Sequence, residues 1–384
     1  MSRMKLACVV GARPNFMKMA PLLRALEAYP DVQTVLIHTG QHYDAALSDV
    51  FFHDLDMKRP ELWLEVGSGS HAAQTARVLE RMEDVLRTRQ PEGKEYHMAV
   101  VVGDVNSTMA AALAAAKLGI PVAHVEAGLR SFDRTMPEEI NRVLTDAVAD
   151  YLFVTEPSGV ENLKNEGIQD EKVFFVGNVM IDTLLRNLKK AAASTILDGL
   201  RLKERGYALI TLHRPTNVDG PETLRRLLQV FEAIGCELPV VFPVHPRTRK
   251  NISAFNLSPL DGKVQLINPL GYLDFLKLMG SAKIVLTDSG GVQEETTILK
   301  VPCLTLRANT ERPITVKLGT NTLVGTDPGC ILENFTRVIS NHDTSFETPE
   351  LWDGQAAKRI VEVLLKKLRR TAMVEPDNKG NTDV

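Results

Sequence analysis

Closely spaced cysteines are the first feature that the sequence lacks. Its four cysteines lie far apart in the chain, at Cys8, Cys236, Cys303 and Cys330. This spacing suggests neither a disulfide framework nor a cysteine-rich zinc site, because no two cysteines show the paired spacing of such motifs. Scattered thiols fit a reducing compartment, and we therefore expect a cytoplasmic protein.

An excess of charge of either sign is also missing. The 45 basic and 48 acidic residues give a formal net charge of -3. This balance predicts no extended basic surface, so we expect neither nucleic acid nor a membrane as a partner. The first apolar stretch, KLACVV, is too short for the core of a signal peptide and soon runs into Gly11, so it predicts a buried strand.

What the sequence does contain is a regular alternation of short apolar runs with helical patterns. The runs are KLACVV, TVLIHT, HMAVVV, PVAHVE, YLFVTE, VFFVGN, YALITL, VVFPV, VQLIN, KIVLT and CLTLR. Runs that are apolar throughout are typical of strands buried on both faces of a parallel sheet. Together with the helical segments between them, they predict an α/β fold.

The length of 384 residues favours two domains, since one hydrophobic core rarely serves so long a chain. A polar segment from about 183 to 205, rich in Lys, Arg and Ala, separates two series of runs. We therefore place the domains at residues 1–184 and 185–384. The amphipathic helix predicted at 351–370 can pack on either domain, including back on the first, and the tail MVEPDNKGNTDV is predicted to be disordered.

Polar residues follow many of the runs, where the ligand sites of parallel sheets lie. Loops diverge at the carboxyl ends of strands, and helix N-termini point N–H groups into the crevice. The endings are Gly11-Ala-Arg13-Pro, Gly40-Gln41-His42, Gly103-Asp104, Glu126-Ala-Gly128, His213-Arg214-Pro, His245-Pro, Asp288-Ser289-Gly290-Gly291 and Arg307. Each alone is consistent with an ordinary turn, but together they favour a shared cleft.

Three of these endings allow specific chemistry as well as a plain structural role. The amides of residues 289–291 could hold a phosphate at a helix N-terminus, or form a simple turn. His213 can change protonation near neutral pH, although a lone histidine at a strand end is usually structural. Arg13 and Lys18 could bind the same anion or lie on a solvated helix turn.

The motifs, taken in order, resemble those of the non-hydrolysing UDP-N-acetylglucosamine 2-epimerases. The matching segments are GARPNFMKMAPL, GDVNST, HVEAGLRSFD, PEEINR, TLHRPTN, TDSGGVQEE and ERP, within residues 5–365. Each motif alone is weak, whereas the ordered set is specific. The resemblance implies an isomerase with two Rossmann-like domains, similar to two-domain nucleotide-sugar glycosyltransferases, and an active site in the interdomain cleft.

The resemblance also implies the reaction. Members of the family interconvert UDP-N-acetylglucosamine and UDP-N-acetylmannosamine without a redox cofactor or an essential metal. UDP leaves by elimination as a carboxylate removes the proton at carbon 2, and it adds back to the 2-acetamidoglucal when a proton reaches the other face. A nucleotide sugar is thus the implied partner and cell-surface polysaccharide synthesis the implied setting; we further expect a homodimer.

The site residues follow from the resemblance, position by position. It implies catalytic roles for Asp104, Glu126, Glu138 and His213. It implies substrate binding, with no metal ligand, by Arg13, Lys18, Leu270, Phe275, Ser289, Gly290, Gly291, Glu295 and Arg312. Residues 124–142 gather three glutamates and three arginines. Crowded carboxylates tend to titrate apart, so that one can donate a proton while another accepts one, and the arginines would offset their charge.

Two segments depart from the family pattern. GQHYDAALSDV keeps Gln41 and His42 but continues with Asp44 and Ala45, which puts in question the second, regulatory nucleotide-sugar site of many bacterial members. FDRTMPEEINR is similar to relatives that act on diacetamido uronic acid sugars. The identity of the substrate therefore stays open.

Four alternatives to this epimerase remain. They are an epimerase of a related UDP-2-acetamido sugar, a hydrolysing 2-epimerase, a nucleotide-sugar glycosyltransferase and a non-enzymatic nucleotide-sugar sensor. A transferase has no need of acid/base carboxylates beside the acetamido carbon, so Glu126 with Glu138 favours the epimerase. A sensor would need neither Asp104 nor His213.

Overall fold

Two parallel β-sheets organise the chain. The structure, a computed structural model, describes residues 3–40, 52, 54–87, 96–257, 262–340 and 346–374. The strands of the first sheet are β1 Met4–Val10, β2 Val32–His38, β3 Leu62–Trp63, β4 Met98–Val102, β5 Val122–Ala127, β6 Tyr151–Val154 and β7 Val173–Phe175. Those of the second are β8 Ala208–Thr211, β9 Val240–Pro243, β10 Val264–Ile267, β11 Ile284–Thr287, β12 Cys303–Thr305 and β13 Asn321–Leu323.

Both sheets have the strand order of a Rossmann domain. The first runs β3-β2-β1-β4-β5-β6-β7 and the second β10-β9-β8-β11-β12-β13. The paired strands are parallel throughout. The prediction of two Rossmann-like α/β domains with parallel sheets is therefore confirmed. In each sheet the strand order reverses beside the first strand, between β1 and β4 and between β8 and β11, and ligands of such sheets bind at this point.

Helices connect the strands and cover both faces of each sheet. The longer ones are α1 Arg13–Leu26, α2 His71–Arg87, α3 Asn106–Lys117, α4 Pro137–Val148, α5 Pro157–Asn165, α6 Val179–Ala191, α9 Pro221–Gly235, α10 Pro246–Ala254, α11 Tyr272–Gly280, α12 Gly290–Leu299, α14 Pro328–Ser340 and α15 Ala356–Val374. Single turns form α7 Ile196–Gly199, α8 Pro215–Val218 and α13 Ile314–Lys317, with a 3₁₀ turn at Asp170–Lys172. Among the described helices, none has the length and apolar character needed to cross a bilayer.

One apolar core continues from the first domain into the second. It contains side chains of α1 and β1, runs through α6, and reaches α11 and β11 beyond it. Separate apolar cores lie on the far face of each sheet, beneath α2, α3 and α5 in the first domain and beneath α9 and α14 in the second. The predicted boundary after residue 184 lies inside α6, which packs against α1 on one side and against α11 and α12 on the other.

The C-terminal helix α15 packs against α1 and α6, on the first domain. Asp182 of α6 caps its N-terminus by accepting the backbone N–H groups of Ala356 at 3.1 Å and Ala357 at 2.7 Å. Just before the helix, the buried indole of Trp352 donates to the carbonyl of Thr155 at 2.9 Å. These contacts join the end of the chain to the first domain. The tail predicted to be disordered lies, from residue 375 onwards, outside the described residues.

Candidate active site

Glu126 lies at the carboxyl end of β5 in an unusual backbone conformation. Its φ is +74°, and the pairing of β5 with β6 shifts register between Val125 and Ala127. A left-handed conformation is costly for a residue other than glycine, and such residues cluster at functional sites. The side chain is nonetheless buried, with 2% of the residue's surface exposed. This bulge places a carboxylate inside the cleft between the domains.

Two buried cations hold the Glu126 carboxylate, one from each domain. The ammonium of Lys18 lies 2.7 Å from both oxygens and donates to Oε1. Arg312, which lies between β12 and β13 of the second domain, donates from Nη2 to the same oxygen at 3.0 Å. Glu126 therefore bridges the domains through Arg312.

Arg312 is surrounded by acidic groups. Its Nε lies 2.7 Å from Glu294 and its Nη1 donates to Glu311 at 2.7 Å. Burial disfavours the charged guanidinium, but Glu294, Glu126 and Glu311 outweigh it and hold the pKa of Arg312 well above its ordinary value. The group is a permanent cation at the centre of the cleft.

Gly290 makes this position of Arg312 possible. A Cβ at residue 290 would lie 2.5 Å from Nη1 of Arg312 and 2.9 Å from Oε1 of Glu311. Since real Cβ contacts are not so short, only glycine lets the guanidinium lie this close to the start of α12. The N-terminus of α12, with Ser289 as its N-cap, therefore lies directly beside Arg312.

Asp104 follows β4 and pairs with Arg142, a residue that the sequence analysis did not assign. Nε and Nη2 of Arg142 lie 3.0 and 2.9 Å from Oδ2 of Asp104. Burial raises the pKa of Asp104, but Arg142, Lys18 and Arg312 outweigh it and lower the pKa overall. Asp104 is thus held as an anion in the same cleft as Glu126.

The two neighbouring glutamates of α4 differ in environment. Glu139 is buried and accepts hydrogen bonds from the backbone N–H groups of Ser131 and Phe132, each at 2.9 Å, and from Arg142. It fixes the loop before α4. Glu138 is half-buried in the first turn of the same helix. Glu138 is thus the accessible carboxylate of the two, one turn ahead of Arg142.

His213 follows β8 in the second sheet. Its Nδ1 lies 2.8 Å from the buried Asp288, which follows β11 and also accepts the backbone N–H groups of His213 and Arg214. The ring of His245 lies 5.9 Å away between centroids. Burial, together with the charges of His213 and Arg13, lowers the pKa of His245. Arg13, at the start of α1, is therefore close enough to affect groups of the second domain electrostatically.

The remaining predicted binding residues lie along α11 and α12. Glu295 is buried and accepts a hydrogen bond from the hydroxyl of Tyr272 at 2.9 Å. Burial, with a smaller contribution from Glu294, raises the pKa of Glu295 to about 8. Leu270 and Phe275 are partly buried at the edge of the continuous core.

The three arginines of residues 124–142 do not act as one group. Arg142 pairs with the cleft carboxylates, as described. Arg130 pairs instead with Asp146 at 2.7 Å and with Glu166 at 2.7 Å, below the cleft. Arg134 is exposed. Only one of the three arginines therefore contacts a carboxylate of the cleft.

One further group of the network, Glu311, was not identified from sequence. Glu311 precedes Arg312 and is approached by four guanidinium groups, which outweigh its burial and hold its pKa well below the ordinary value. Arg142 and Glu311 are more than 160 positions apart in the sequence, so no local motif indicates that they pair.

The segment with Gln41, His42, Asp44 and Ala45 lies outside the described residues.

Almost the whole chain, and not only its short motifs, is similar to known proteins. The profile of the UDP-N-acetylglucosamine 2-epimerase family matches residues 24–365. The UDP-N-acetylglucosamine 2-epimerase of Methanocaldococcus jannaschii is 43% identical over 375 residues, which cover 94% of this chain and 99% of that protein. The UDP-2,3-diacetamido-2,3-dideoxy-D-glucuronate 2-epimerase of Pseudomonas aeruginosa is 41% identical over 367 residues, which cover 94% and 100%.

Solved structures extend the likeness to the fold. A crystal structure of the M. jannaschii UDP-GlcNAc 2-epimerase, in complex with UDP-GlcNAc and UDP, matches with a TM-score of 0.87 at 43% identity, covering 94% of this chain and 100% of that one. The wall teichoic acid polymerase TagF, at 12% identity, a TM-score of 0.52 and coverage of 96% and 90%, shares the fold alone. With its ordered motifs, its two Rossmann-like domains and these matches, the chain belongs to the UDP-N-acetylglucosamine 2-epimerase family of isomerases.

Proposed function

We propose that this protein is a non-hydrolysing UDP-N-acetylglucosamine 2-epimerase. It inverts carbon 2 of the sugar by elimination of UDP to a 2-acetamidoglucal, followed by re-addition. The observation that carries the proposal is Glu126, a buried carboxylate on a strained bulge, held between Lys18 and Arg312 at the meeting of the two domains. The M. jannaschii relative, which carries the same name, supports the choice of sugar.

Proton transfer at carbon 2 needs acid/base groups on both faces of the ring. Asp104, Glu126 and Glu138 supply them in this proposal. Their environments differ, because Asp104 is paired with Arg142, Glu126 is enclosed by two cations, and Glu138 is half-buried. Carboxylates in different environments can hold different protonation states at one pH, which two-sided transfer requires.

The leaving UDP carries its negative charge on the diphosphate. Arg13, Lys18 and Arg312 would offset that charge from three sides, and the backbone N–H groups at the start of α12 would donate hydrogen bonds to its oxygens. His213, oriented by Asp288, would donate to the diphosphate as the bond to carbon 1 breaks. Binding and leaving-group stabilisation then use the same groups.

Lys18 and Arg312 have two tasks in this mechanism. They neutralise Glu126 in the structure and bind the diphosphate in the proposed complex. A diphosphate would compete for their charge, so Glu126 would be less firmly held by them while the nucleotide is bound. Glu126 would then be available to accept a proton only when a leaving group is in place.

The nucleoside end of the substrate would lie along α11 and α12. Glu295 would accept the ribose hydroxyls, and Leu270 and Phe275 would contact the uracil. The hydrogen bond from Tyr272 keeps Glu295 in one orientation, which supports a role in recognition. Because Glu295 is buried away from solvent, a ribose hydroxyl that binds to it would not have to displace strongly bound water.

The proposal is tested by incubating the protein with UDP-N-acetylglucosamine in deuterated water and recording proton spectra over time. We expect the proton at carbon 2 to be exchanged for deuterium while the manno isomer appears. Accumulation of free UDP and free sugar would instead show a hydrolase. A folded protein that catalyses no exchange would contradict the proposal and favour a transferase or a sensor.

A second candidate substrate is UDP-2,3-diacetamido-2,3-dideoxy-D-glucuronate. It is favoured by the P. aeruginosa relative, whose identity of 41% is close to that of the M. jannaschii enzyme. The same experiment with both sugars, side by side, separates the two. A higher kcat/KM for the diacetamido uronate would replace UDP-N-acetylglucosamine as the substrate while leaving the reaction type intact.

A homodimer in the cytoplasm completes the proposal. The outer face of α4 exposes Ile140, Val143 and Leu144, an apolar stripe at helical spacing that a second subunit would cover. The four cysteines are all free thiols, which suits a reducing compartment. Sedimentation equilibrium should give twice the mass of the chain, and a monomer at micromolar concentration would contradict this part.

A further inference from the structure

His124 is a fully buried histidine beneath the cleft, two residues before Glu126 on β5. Its Nδ1 lies 2.7 Å from Oδ1 of Asp146, and its Nε2 lies 2.8 Å from the carbonyl oxygen of Gly103. Both partners are hydrogen-bond acceptors, so both ring nitrogens must carry a hydrogen. The geometry therefore makes His124 an imidazolium in contact with a buried carboxylate.

The two bonds of His124 reach two other elements of the site. Gly103 is the residue before Asp104, and its own N–H donates to the carbonyl of Val125 at 3.0 Å, beside Glu126. Asp146 lies on α4, one turn beyond Arg142. The imidazolium thus joins the end of β4, the end of β5 and helix α4, which together carry all three proposed acid/base carboxylates.

Asp146 holds the other side of the Glu126 bulge. Its Oδ2 accepts the backbone N–H of Gly128 at 3.0 Å and lies 2.7 Å from Nη1 of Arg130. Burial disfavours the Asp146 anion, but His124 and Arg130 outweigh it and lower its pKa. Arg130 in turn makes two parallel hydrogen bonds, each of 2.7 Å, to Glu166 at the surface. The chain of charges alternates in sign from His124 to Glu166, so each buried charge has an opposite neighbour.

The backbone of Glu126 is therefore fixed on both sides of its left-handed residue. Val125 before it is bonded to Gly103, which His124 holds, and Gly128 after it is bonded to Asp146. A strained φ persists only where the surroundings over-determine it. These bonds provide that constraint.

We propose that His124 and Asp146 are positioning residues for the epimerase reaction. They keep the carboxylates of Asp104 and Glu126, and the helix that carries Glu138, at fixed mutual positions, without touching the substrate. The inference rests on the proposed function, because its readout is exchange at carbon 2. Misplacement of a catalytic group by about 1 Å can lower a rate by about 10²-fold.

Two near-isosteric substitutions break the two bonds of His124 separately. In His124→Gln the amide nitrogen can still reach the carbonyl of Gly103, while the bond to Asp146 is lost. In His124→Asn the amide nitrogen can still donate to Asp146, while the bond to Gly103 is lost. Both variants are expected to lower kcat for exchange by about 10-fold to 10²-fold, with UDP affinity measured by calorimetry close to that of the wild type.

Met82→Ala is the matched control for loss of stability, since Met82 is fully buried on α2 in the core of the same domain. It should lower the melting temperature while kcat per folded molecule stays at the wild-type value. If the His124 variants behave like Met82→Ala, with kcat per folded molecule unchanged, the positioning role is overturned. If the wild type itself catalyses no exchange, the proposed function fails and not this inference in particular.

A measurement on the unmodified protein covers the case in which both His124 variants fail to fold. Histidine labelled with ¹⁵N distinguishes an imidazolium, with two similar nitrogen shifts, from a neutral ring, whose two shifts differ widely. We expect the imidazolium pattern for His124 at the pH of the exchange assay. A neutral ring would contradict the double-donor geometry and overturn the proposal.

Discussion

Arg312 of the second domain donates a hydrogen bond of 3.0 Å to Glu126 of the first, across the cleft between them. The same guanidinium contacts Glu294 and Glu311, two carboxylates of its own domain. One cation therefore connects the proposed proton acceptor with the proposed binding site of the leaving group. Nucleotide binding and proton abstraction are expected to be coupled through it.

The first prediction concerns Glu126. Glu126→Gln keeps the shape of the side chain but removes its charge, so we expect turnover to fall by about 10²-fold or more, the usual loss for a positioned general acid or base. UDP should bind at least as tightly as to the wild type, because Lys18 and Arg312 then lack one competing anion. Exchange kinetics and calorimetric titration with UDP measure the two effects.

Glu222→Gln is the control for this change, since Glu222 is an exposed glutamate of α9. Glu222→Gln should leave both the turnover and the affinity for UDP unchanged. A Glu126→Gln variant that loses UDP affinity as severely as turnover would identify Glu126 as a nucleotide ligand or a structural residue.

The second prediction concerns Gly290. In Gly290→Ala the new methyl group would meet Nη1 of Arg312 at 2.5 Å, so the guanidinium has to leave the position in which it contacts Glu126. We expect weaker UDP binding together with lower turnover, since Arg312 serves both. Gly280→Ala is the matched control, because its methyl group would make only an ordinary contact of 3.7 Å with Leu299. Equal behaviour of the two variants would show that the close approach of Arg312 is unimportant.

The third prediction concerns Arg142, which joins Asp104, Glu139 and Glu311. Arg142→Lys keeps the charge, but one ammonium cannot reproduce the bonds that the planar fork makes. We expect kcat to fall by about 10²-fold, as for other misplaced catalytic groups.

The pH profile of Arg142→Lys provides a second readout. Arg142 is the largest of the charges that lower the pKa of Asp104, so its replacement should raise that pKa. The acidic limb of the pH–rate profile should then move to higher pH. An unchanged limb with an unchanged rate would exclude Asp104 and Arg142 from catalysis.

The fourth prediction concerns Glu295 and the pH dependence of stability. Its pKa is raised from 4.5 to about 8, chiefly by burial. Between these values the folded protein keeps a proton that the unfolded chain has released, so stability falls as pH rises through this window and stays constant above it. Glu295→Gln removes the titration and should show a smaller loss of melting temperature between pH 5 and pH 8 than the wild type does. A loss as large as that of the wild type would mean that Glu295 ionises normally.

The strands that were predicted from sequence differ from those that were missed in their position in the sheet and in their apolar character. Every apolar run of the sequence analysis became a strand. Within the part of the chain that the structure describes, two strands were missed, Leu62–Trp63 and Asn321–Leu323, and both lie at the edges of their sheets. An edge strand this short is half exposed and needs no continuous apolar run, so its sequence does not stand out.

Only those features of the site that depend on the path of the backbone could be predicted from the sequence. Strand ends converge at the edge of a parallel sheet, and this rule is enough to bring Asp104 near Glu126 and His213 near Asp288. The partners of these residues depend on side chains from distant parts of the chain, as for Arg142 with Glu311. The role of His124 depends on the direction of its two ring nitrogens, which no local pattern reveals.

The return of α15 to the first domain has a consequence for how the molecule can be divided. The second domain is an insertion, since the chain leaves the first domain at α6 and comes back to it before Trp352. The two domains are therefore joined by two separate connections of the chain. A fragment ending at residue 191 would expose the face of α1 that α15 covers, and should fold only when residues 346–374 are supplied as a separate peptide or fused after it.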